Sequence, residues 1–488
     1  MAWAIPVRQD ATSNLENGKA VITQGREGED PDPVIRARRE FVKQMMKDAW
    51  DDYVMWAWED NELKPVSQTG QHGDIFGDSR IGATIVDSLD TLYIMEMMEE
   101  YETARGFVAN QLDLNNATVS VFETNIRFVG GFLSAYALTQ DTIYRDRALE
   151  IATKLLPAFD TPTGIPYSHV NVLTGEPRNN VESVLAEFGT LHLEFVYLSE
   201  ITGNPIFREK VETIRQFLKQ IEKPNGLYPN HLHIFEGRFT DDHVSIGALG
   251  DSYYEYLLKA AIQLNDGEGR MMYDEAMDGF FNNGLVKVSR QNHLLYIAES
   301  RGGQIQDVVG HLACFAGGMF VLGAHVDPSN SNAVRDAEVG KNFTTTCHES
   351  YIRTATQIGP EVFQFTETLE AEAGNDDQRG YILRPEVIES YYIMYRITGD
   401  TKYRDWAWDA AQSIERYSKA GPGRGYSGLI NTNSVNPVQD DVQQTFFLAE
   451  TLKYLYLIFS TNDLISLEQW VMNTECHPLP IKSTNSLY

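Results

Sequence analysis

The stretch that decides the fold runs from residue 386 to residue 400 and reads EVIESYYIMYRITGD. Its large apolar residues are too dense for a helix with one wet face, which predicts a helix buried on both sides. The turn Thr398-Gly399-Asp400 ends this helix, and the carboxylate of Glu386 stands at its start. A helix of about 14 residues is roughly 21 Å long, so Glu386 lies at the end far from the turn.

The same arrangement of polar residue, apolar helix and turn recurs along the chain. The third residues of successive turns lie 61 to 73 positions apart, and an amphipathic segment such as 403–417 follows most of them. This pattern therefore predicts that each unit consists of an inner helix, a turn and an outer helix. The other turns are at 139–141, 202–204, 264–266, 325–327 and 461–463, and the polar residues upstream of them are Glu123, Glu187, Asp251, His311 and Glu450.

These repeats predict an all-α fold. Six units are visible, and a more divergent one at 81–112 carries Asp87 and Asp90, which we interpret as structural residues. We expect an (α/α)7 barrel of seven helical hairpins, with an open solenoid as the alternative. Short β-hairpins are expected in the connections near 161–177 and 225–240. Stacked repeats gather their polar helix ends at one mouth, which predicts an active site there.

The domain organisation follows from composition. Residues 1–35 contain few large apolar residues after residue 7 and predict a disordered leader or stem. Residues 36–482 are expected to form one catalytic domain and residues 483–488 a tail. No stretch approaches about 18 consecutive apolar residues, so we expect no membrane span. A targeting or anchoring segment is expected to lie outside this chain.

Charge and cysteine usage narrow the function classes. The net charge of −29 argues against nucleic acid, because phosphate binding requires a basic face. Asn116 and Asn342 begin glycosylation sequons. Cys314 and Cys347 lie 33 positions apart, and composition alone leaves open whether they are joined.

The clustered carboxylates suggest the chemistry. Carboxylates that share a pocket repel one another, so the pocket requires protons, water or a cation, and Ca²⁺ suits oxygen ligands best. The sequence contains no His/Cys zinc spacing, no glycine-rich phosphate loop after a strand and no Gly-x-Ser-x-Gly motif. Two carboxylates that act on one bond indicate glycoside hydrolysis, with an acid that protonates the leaving oxygen and a base that activates water.

Several ordered motifs resemble one family. They are IVDSLDTL at 85–92, FETNIR at 122–127, TGIP at 163–166, GDSYYEYL at 250–257, LRPE at 383–386, FFLAETLKY at 446–454 and NTE at 473–475. With these motifs the chain resembles the class I α-mannosidases, glycoside hydrolase family 47, over residues 40–481. The resemblance implies the (α/α)7 barrel and Ca²⁺-dependent, inverting hydrolysis of terminal α1,2-linked mannose on high-mannose N-glycans, from Man9 toward Man5.

The resemblance also implies roles for individual residues. Glu386 would be the base that activates water, and Glu123 the acid, directly or through water, with Asp251 as the competing acid. Thr474 would be the direct Ca²⁺ ligand, and the disulfide would join Cys314 to Cys347. The implied substrate-binding residues are Arg127, Glu187, Leu249, His311, Arg384, Glu389, Phe446, Glu450 and Glu475, of which Glu389, Glu450 and Glu475 would hold the waters of the ion.

Other interpretations of these residues stay open. Arg127 and Arg384 could simply neutralise carboxylates, and Glu187 could be a structural partner. His311, taken alone, would be interpreted as a buried core histidine. Leu249 and Gly310 stand where the endoplasmic-reticulum type carries Arg and Asp, so the chain resembles the Golgi type. We therefore expect the secretory-pathway lumen, most specifically the Golgi, as its location.

Two alternative functions remain at this point. One is a mannosidase-like lectin that serves glycoprotein quality control and degradation. The other is an (α/α)-barrel hydrolase that acts on a different sugar. Retention of the candidate acid and base together with Thr474 favours the α1,2-mannosidase, because sugar recognition alone requires no acid–base pair.

Overall fold

The computed structural model describes residues 28–73, 79–115, 117–178 and 180–488. Helices dominate these residues. The α-helices are α1 (Pro33–Trp56), α2 (Ala83–Ile94), α3 (Met98–Asn110), α4 (Val121–Glu123), α5 (Gly130–Thr139), α6 (Thr142–Leu155), α7 (Leu185–Gly189), α8 (His192–Thr202), α9 (Ile206–Gln220), α10 (Asp251–Leu264), α11 (Gly267–Asn282), α12 (Phe315–Val326), α13 (Ala333–Ile352), α14 (Glu386–Thr398), α15 (Lys402–Tyr417) and α16 (Leu452–Ile458).

Short helical segments of other types extend several of these helices. The π-helical turns Thr124–Val129 and Phe447–Thr451 lead directly into α5 and α16, and the 3₁₀ turn His311–Cys314 leads into α12. Further 3₁₀ turns are Leu156–Phe159, Pro224–Gly226 and Asp376–Gln378. The π turns carry residues of the candidate site, which agrees with the frequent occurrence of π bulges at functional sites.

The strands are short and pair antiparallel in sheets of two or three. They are β1 (Glu62–Lys64), β2 (Thr69–Gln71), β3 (Thr118–Ser120), β4 (His169–Asn171), β5 (Glu182–Val184), β6 (His231–His233), β7 (Arg238–Phe239), β8 (Val286–Val288), β9 (Leu295–Ile297), β10 (Glu299–Arg301), β11 (Gln304–Gln306), β12 (Val308–Gly310), β13 (Val362–Phe365), β14 (Glu370–Glu372), β15 (Trp470–Met472) and β16 (Pro478–Pro480). The hairpin expected near 225–240 is β6–β7. In the connection near 161–177, Val170 forms an antiparallel bridge with Pro177, while β4 also pairs with β3 from an earlier connection.

The inner helices form a closed ring. Each packs against the next in the order α2, α5, α8, α10, α12, α14 and α16, and α2 also contacts the π turn before α16. The last inner segment therefore meets the first, so the (α/α)7 barrel is confirmed and the open solenoid is wrong. No helix in the described ranges is both long enough and apolar enough to cross a membrane.

The seventh outer helix comes from the start of the chain. After the last turn no outer helix follows, and α1 packs on α16 instead. Glu29 forms a β-bridge with Ser460, and Asp30 forms an ion pair with Arg404 at 2.9 Å. Residues 28–35 therefore belong to the barrel, which corrects the expected boundary at residue 35. Residues 1–27 lie outside the described residues.

The end of the chain also belongs to the fold. The Tyr488 ring packs on Tyr197 of α8, with ring centroids 5.3 Å apart, and the Tyr197 hydroxyl donates to the Leu487 carbonyl at 3.3 Å. The expected tail at 483–488 is thus packed against an inner helix. The expected disulfide between Cys314 and Cys347 is present and joins the segment before α12 to α13, whereas Cys476 is a buried free thiol.

A β-hairpin fills the interior of the barrel. Strands β15 and β16 are buried throughout, and they contact α10 and α5, which are not neighbours in the ring. The hairpin therefore lies inside the ring, and its turn at 473–477 carries Thr474. We call the end of the barrel where the inner helices begin the mouth, because the candidate site residues gather there.

Candidate active site

One cavity of about 430 Å³ opens at the mouth of the barrel. It brings together nearly all the candidate site residues, although they are spread over some 350 positions of sequence. The candidates that line it are Glu123, Arg127, Glu187, Leu249, Asp251, Arg384, Glu386, Glu389, Phe446, Glu450, Thr474 and Glu475. The convergence predicted from the helix ends is therefore what the barrel produces.

His311 lies behind the cavity wall. Its side chain is buried, with Nδ1 at 2.7 Å from Glu386 Oε2 and Nε2 at 2.8 Å from the Tyr351 hydroxyl. It is not among the residues that line the cavity. The expectation of a direct substrate contact is thus corrected, because His311 reaches the site through Glu386.

Glu386 is held in its ionised form. It begins α14, where the helix dipole favours a negative charge. Burial acts to raise the pKa of Glu386, but the hydrogen bond to His311 and the charge of Arg384, at 3.7 Å, together lower it below its ordinary value. A buried carboxylate that stays ionised is suited to accept a proton from water.

Asp251 has the opposite character. It begins α10, and its Oδ1 accepts a hydrogen bond from the Ser252 N–H at 2.9 Å. Burial raises the pKa of Asp251 to about 7, and the charges of Glu255 and Glu386 add to the effect. The carboxyl group is therefore substantially protonated near neutral pH, whereas Glu386 is not. Two carboxyl groups with pKa values moved apart are typical of an acid–base pair.

Arg127 joins three acidic residues beside the cavity. Its Nε donates to Glu123 Oε2 at 2.9 Å, and its Nη1 contacts Asp87 at 3.2 Å and also Glu475. Burial opposes the charge of Arg127, yet these carboxylates raise its pKa well above the ordinary value. Arg127 therefore neutralises carboxylates and still lines the cavity.

Sequence reasoning missed two residues beside the site. Glu361, in the loop before β13, accepts a hydrogen bond from Arg384 Nε at 2.6 Å, and no sequence signal connects them. Glu255 lines the cavity and forms an ion pair with the buried Lys259. Glu255 stands within the motif at 250–257, one helical turn after Asp251, so that spacing was a usable signal.

Glu389, Glu450 and Glu475 form a buried acidic wall. Burial raises the pKa of Glu389 to about 8, and Glu255 and Glu386 act in the same direction. Burial likewise raises the pKa of Glu450 well above its ordinary value, and the charge of Glu475 adds to it. Such carboxylates are stabilised by protons or by an added cation.

The turn at 473–477 is fixed from several sides. Asn473 donates to the Ile126 carbonyl at 2.9 Å and to Glu194 at 2.8 Å. His477 lies 2.9 Å from Asp90, and Lys453 bridges Asp90 and the carbonyl of Cys476. The structural interpretation of Asp90 fits these contacts, and Asp87 likewise binds Arg127, Thr445 and His477.

The donor groups fit a hard divalent cation such as Ca²⁺. Thr474 lines the cavity together with Glu389, Glu450 and Glu475, so a hydroxyl-bearing residue and three carboxylates surround one space. Across the described residues, no group of three or more His, Cys, Asp or Glu side chains is arranged to bind a metal directly.

Two features define the outer part of the cavity. Glu187 accepts a hydrogen bond from Ser168 at 2.7 Å, and burial, with the charge of Glu123, raises its pKa. Leu249 is 36% exposed and has a φ of 77°, so its side chain projects from a strained turn before α10. A Cβ at Gly310 would meet only the Glu361 carbonyl oxygen, at 4.0 Å, so the backbone leaves space for a side chain at this position.

The sequon residues differ in what the structure describes. Asn116 lies outside the described residues. Asn342 is exposed on the outer helix α13, whereas Thr344 of the same sequon is buried. Glycosylation at either position stays a prediction.

Comparison with known proteins decides the family. The family model for glycosyl hydrolase family 47 matches residues 45–481. The chain belongs to glycosyl hydrolase family 47. It is therefore a glycoside hydrolase by family. The match covers the whole barrel apart from the first part of α1, so the family assignment applies to the fold and to the cavity together.

Relatives in family 47 span most of the chain. This chain is 52% identical over 466 residues to mannosyl-oligosaccharide alpha-1,2-mannosidase IA of Drosophila melanogaster. The aligned region covers 94% of this chain and 69% of that protein. The chain is 50% identical to mannosyl-oligosaccharide 1,2-alpha-mannosidase IB of Homo sapiens, over 93% of this chain and 72% of that protein.

A solved structure of the same kind has the same fold. The α-1,2-mannosidase from Trichoderma reesei superposes with a TM-score of 0.83 at 29% identity, over 91% of this chain and 99% of that one. A D-mannose isomerase matches with a TM-score of 0.51 at 13% identity, which indicates a shared helical barrel alone.

Proposed function

We propose that this protein is an inverting α1,2-mannosidase that removes terminal α1,2-linked mannose from high-mannose N-glycans. The observation that carries the proposal is the pairing of an ionised Glu386 with a protonated Asp251 at one cavity. The names of the relatives, mannosyl-oligosaccharide 1,2-alpha-mannosidases, supply the sugar and the linkage.

In this mechanism Glu386 is the base. It removes a proton from a water molecule that attacks the anomeric carbon, while His311 and Arg384 keep it ionised until that step. Attack by water on the face opposite the leaving group inverts the anomeric configuration. In inverting enzymes the two carboxyl groups stand roughly 6.5–9.5 Å apart to admit that water.

Asp251 is the better supported acid of the two candidates. Its raised pKa of about 7 means that it carries a proton to give to the leaving oxygen. Glu123 Oε2 accepts a hydrogen bond from Arg127 Nε at 2.9 Å, so that oxygen is already engaged with the protein. Glu123 then serves to bind substrate or a bridging water. This ordering reverses the preference for Glu123 that the family resemblance gave.

The proposed cofactor is Ca²⁺, held by Thr474 directly and by Glu389, Glu450 and Glu475 through water. Bound there, the ion would offset the charge of the acidic wall and orient sugar hydroxyls and water. Phe446, half-buried at the cavity wall, provides an apolar face for the sugar ring. The proposed partners are the high-mannose N-glycans of glycoproteins.

The proposed location is the Golgi lumen, and the proposed product range runs from Man9 toward Man5. Leu249 lines the cavity without a charged group, and Gly310 adds no side chain before His311, which supports acceptance of several branches of one glycan. The lectin alternative is less well supported, because a sugar-binding protein has no need of carboxyl groups with opposed pKa values.

A timed digestion of Man9 glycan, with and without a chelator, tests the proposal. Mass analysis is expected to show stepwise loss of several mannoses with Ca²⁺ present and little loss after chelation. NMR of the first product would show β-mannose if the reaction inverts. Binding of the glycan without any release of mannose would favour the lectin, and activity on α1,3- or α1,6-linked mannose would favour a different hydrolase.

A further inference from the structure

A small antiparallel sheet continues outward from the cavity. We call β5, β6 and β7 the rim sheet. Its strand β5 ends at Val184, which lines the cavity, and Val184 stands directly opposite His231 of β6. Residues that face each other across antiparallel strands point to the same side of a sheet. The face that carries His231 is therefore continuous with the cavity.

That face is exposed and rich in flat side chains. Along β6, His231 and His233 are half-exposed, whereas the intervening Leu232 and the following Ile234 are fully buried. Phe235 follows in the turn and is 40% exposed, with its ring centroid 6.3 Å from that of His233. Tyr167 packs edge-on to Phe235 at 5.9 Å. The rings of His233, Phe235 and Tyr167 thus form one cluster beside the rim sheet.

Polar groups accompany these rings at the cavity end. His231 Nδ1 lies 2.6 Å from Asp241 Oδ2, and both side chains are 30% exposed. The His231 imidazole is near enough to Glu187 to act on the pKa of that carboxyl. A carboxylate–imidazole pair next to an exposed ring offers hydrogen bonds to hydroxyls and a flat apolar surface, which together suit the two kinds of surface of a sugar.

We propose that the exposed face of the rim sheet is an outer sugar subsite, in which Phe235 contacts one mannose of the substrate oligosaccharide and His231 with Asp241 binds hydroxyls of the sugar next to the cavity. This proposal rests on the proposed function. It extends that function by stating where the part of the glycan outside the cavity binds. Phe235 is four residues beyond His231, in the turn after β6, so it contacts a sugar farther from the cleaved bond than the sugar that His231 binds.

The test compares a long and a short substrate. Phe235→Ala is expected to lower kcat/KM for Man9 glycan about tenfold, mainly through KM, and to leave α1,2-linked mannobiose unaffected, because the disaccharide cannot reach the ring. Phe235→Trp keeps a flat ring and is expected to retain wild-type KM for Man9. Val334→Ala, at a residue 79% exposed on α13 near the opposite end of the barrel, is the matched control.

An unchanged KM of Phe235→Ala for Man9 would overturn the subsite. So would an equal loss on Man9 and mannobiose, because that result would mean a general structural effect. Failure of the proposed function gives a different result, since the wild-type protein would then cleave neither substrate.

Discussion

The chemistry of this protein depends on two carboxyl groups in unlike surroundings. Both begin inner helices and both are buried, yet the His311 hydrogen bond and the charge of Arg384 outweigh burial at Glu386, whereas the Ser252 N–H and Arg384 do not outweigh it at Asp251. Asp251 also faces other carboxylates, and its pKa rises to about 7. At the scale of single residues, neighbours and not residue type therefore separate base from acid.

The roles of these two residues can be separated with an activated substrate. Glu386→Gln is expected to lower kcat by about 10²–10⁴-fold on both mannobiose and α-mannosyl fluoride, because both require the base. Asp251→Asn is expected to lose activity on mannobiose but to retain it on the fluoride, whose leaving group needs no proton. Glu367→Gln, at a carboxylate with 86% of its side chain exposed, is the control. Rescue of Glu123→Gln by the fluoride, without rescue of Asp251→Asn, would reverse the assignment.

The pKa of Asp251 also predicts a pH dependence. An acid must be protonated to act, so kcat/KM is expected to fall as pH rises through about 7. Glu255→Gln removes a negative charge that raises this pKa, which moves the alkaline limb of the profile to lower pH. The pH profile on mannobiose measures the shift, with Glu275→Gln on the outer helix α11 as the control. An alkaline limb that stays in place would contradict the role of Asp251.

At the scale of elements, the starts of the inner helices bring carboxylates to the mouth, and α14 alone supplies both Glu386 and Glu389. The connections before these helices shape the cavity. The segment before α10 is the clearest case. Leu249 stands two residues before Asp251, and its backbone carbonyl accepts a hydrogen bond from Ala186 of α7 at 2.9 Å. This bond fixes the direction in which the Leu249 side chain projects into the cavity.

Leu249→Arg is expected to narrow the product range. The substitution adds a long cationic side chain at the open edge of the cavity without a change in backbone strain, because neither Leu nor Arg prefers a positive φ. The first mannose is expected to be removed and later products to accumulate at least about tenfold more slowly. The ladder of products from Man9 measures this change. Leu173→Arg is the control, because Leu173 is 64% exposed and lies away from the cavity, and it should leave the ladder of products unchanged. An unaltered ladder for Leu249→Arg would refute the specificity argument.

Helix α1 is the element that packs against a partner helix at the greatest distance along the sequence. It completes the hairpin of α16, and Trp50 on its inner face is 2% exposed, whereas Trp56 at its end is 42% exposed. Trp50→Ala is expected to lower the free energy of unfolding by about 3–5 kcal/mol, through lost burial and a cavity. Trp56→Ala should change it by less than about 1 kcal/mol. Urea denaturation measures both, and equal effects would mean that α1 is not an integral part of the barrel.

At the scale of the whole molecule, closure of the ring and the hairpin inside it turn separate repeats into one site. The hairpin fits because the surrounding helices leave room for it. A Cβ at Gly130 would lie 2.5 Å from the Asn473 side chain, so this glycine permits close approach of α5 to the turn of Thr474. The disulfide then joins the fifth inner segment to its own outer helix.

Loss of the disulfide is expected to destabilise the molecule without a change in the site. The bond closes a loop of 33 residues, which corresponds to about 3–4 kcal/mol in the free energy of unfolding. Thermal or urea unfolding of the Cys314→Ala/Cys347→Ala variant measures the loss. A reductant should destabilise the wild-type protein to the same degree and leave the double variant unaffected. Equal stability of the two oxidised proteins would contradict the prediction.

The sequence by itself determined the repeat, the all-α class and the set of residues at the mouth. Those features are local, because helical periodicity, turn chemistry and the length of a helix between Glu386 and Thr398 depend on neighbours in the chain. The family motifs added the roles of residues such as Thr474, which no local pattern singles out. The Cys314–Cys347 pairing was also inferred from the family, and the structure contains it.

Tertiary structure alone decided which residues touch across the barrel. No pattern in the sequence indicated that α1 closes the ring, that Glu361 binds Arg384, or that His311 lies behind Glu386 instead of in the cavity. These contacts join residues that are from 23 to about 400 positions apart, and burial and charge there depend on packing of whole helices. The opposed pKa values of Asp251 and Glu386 arise in the same way, because an aspartate and a glutamate at two helix starts acquire different neighbours only after the ring has closed.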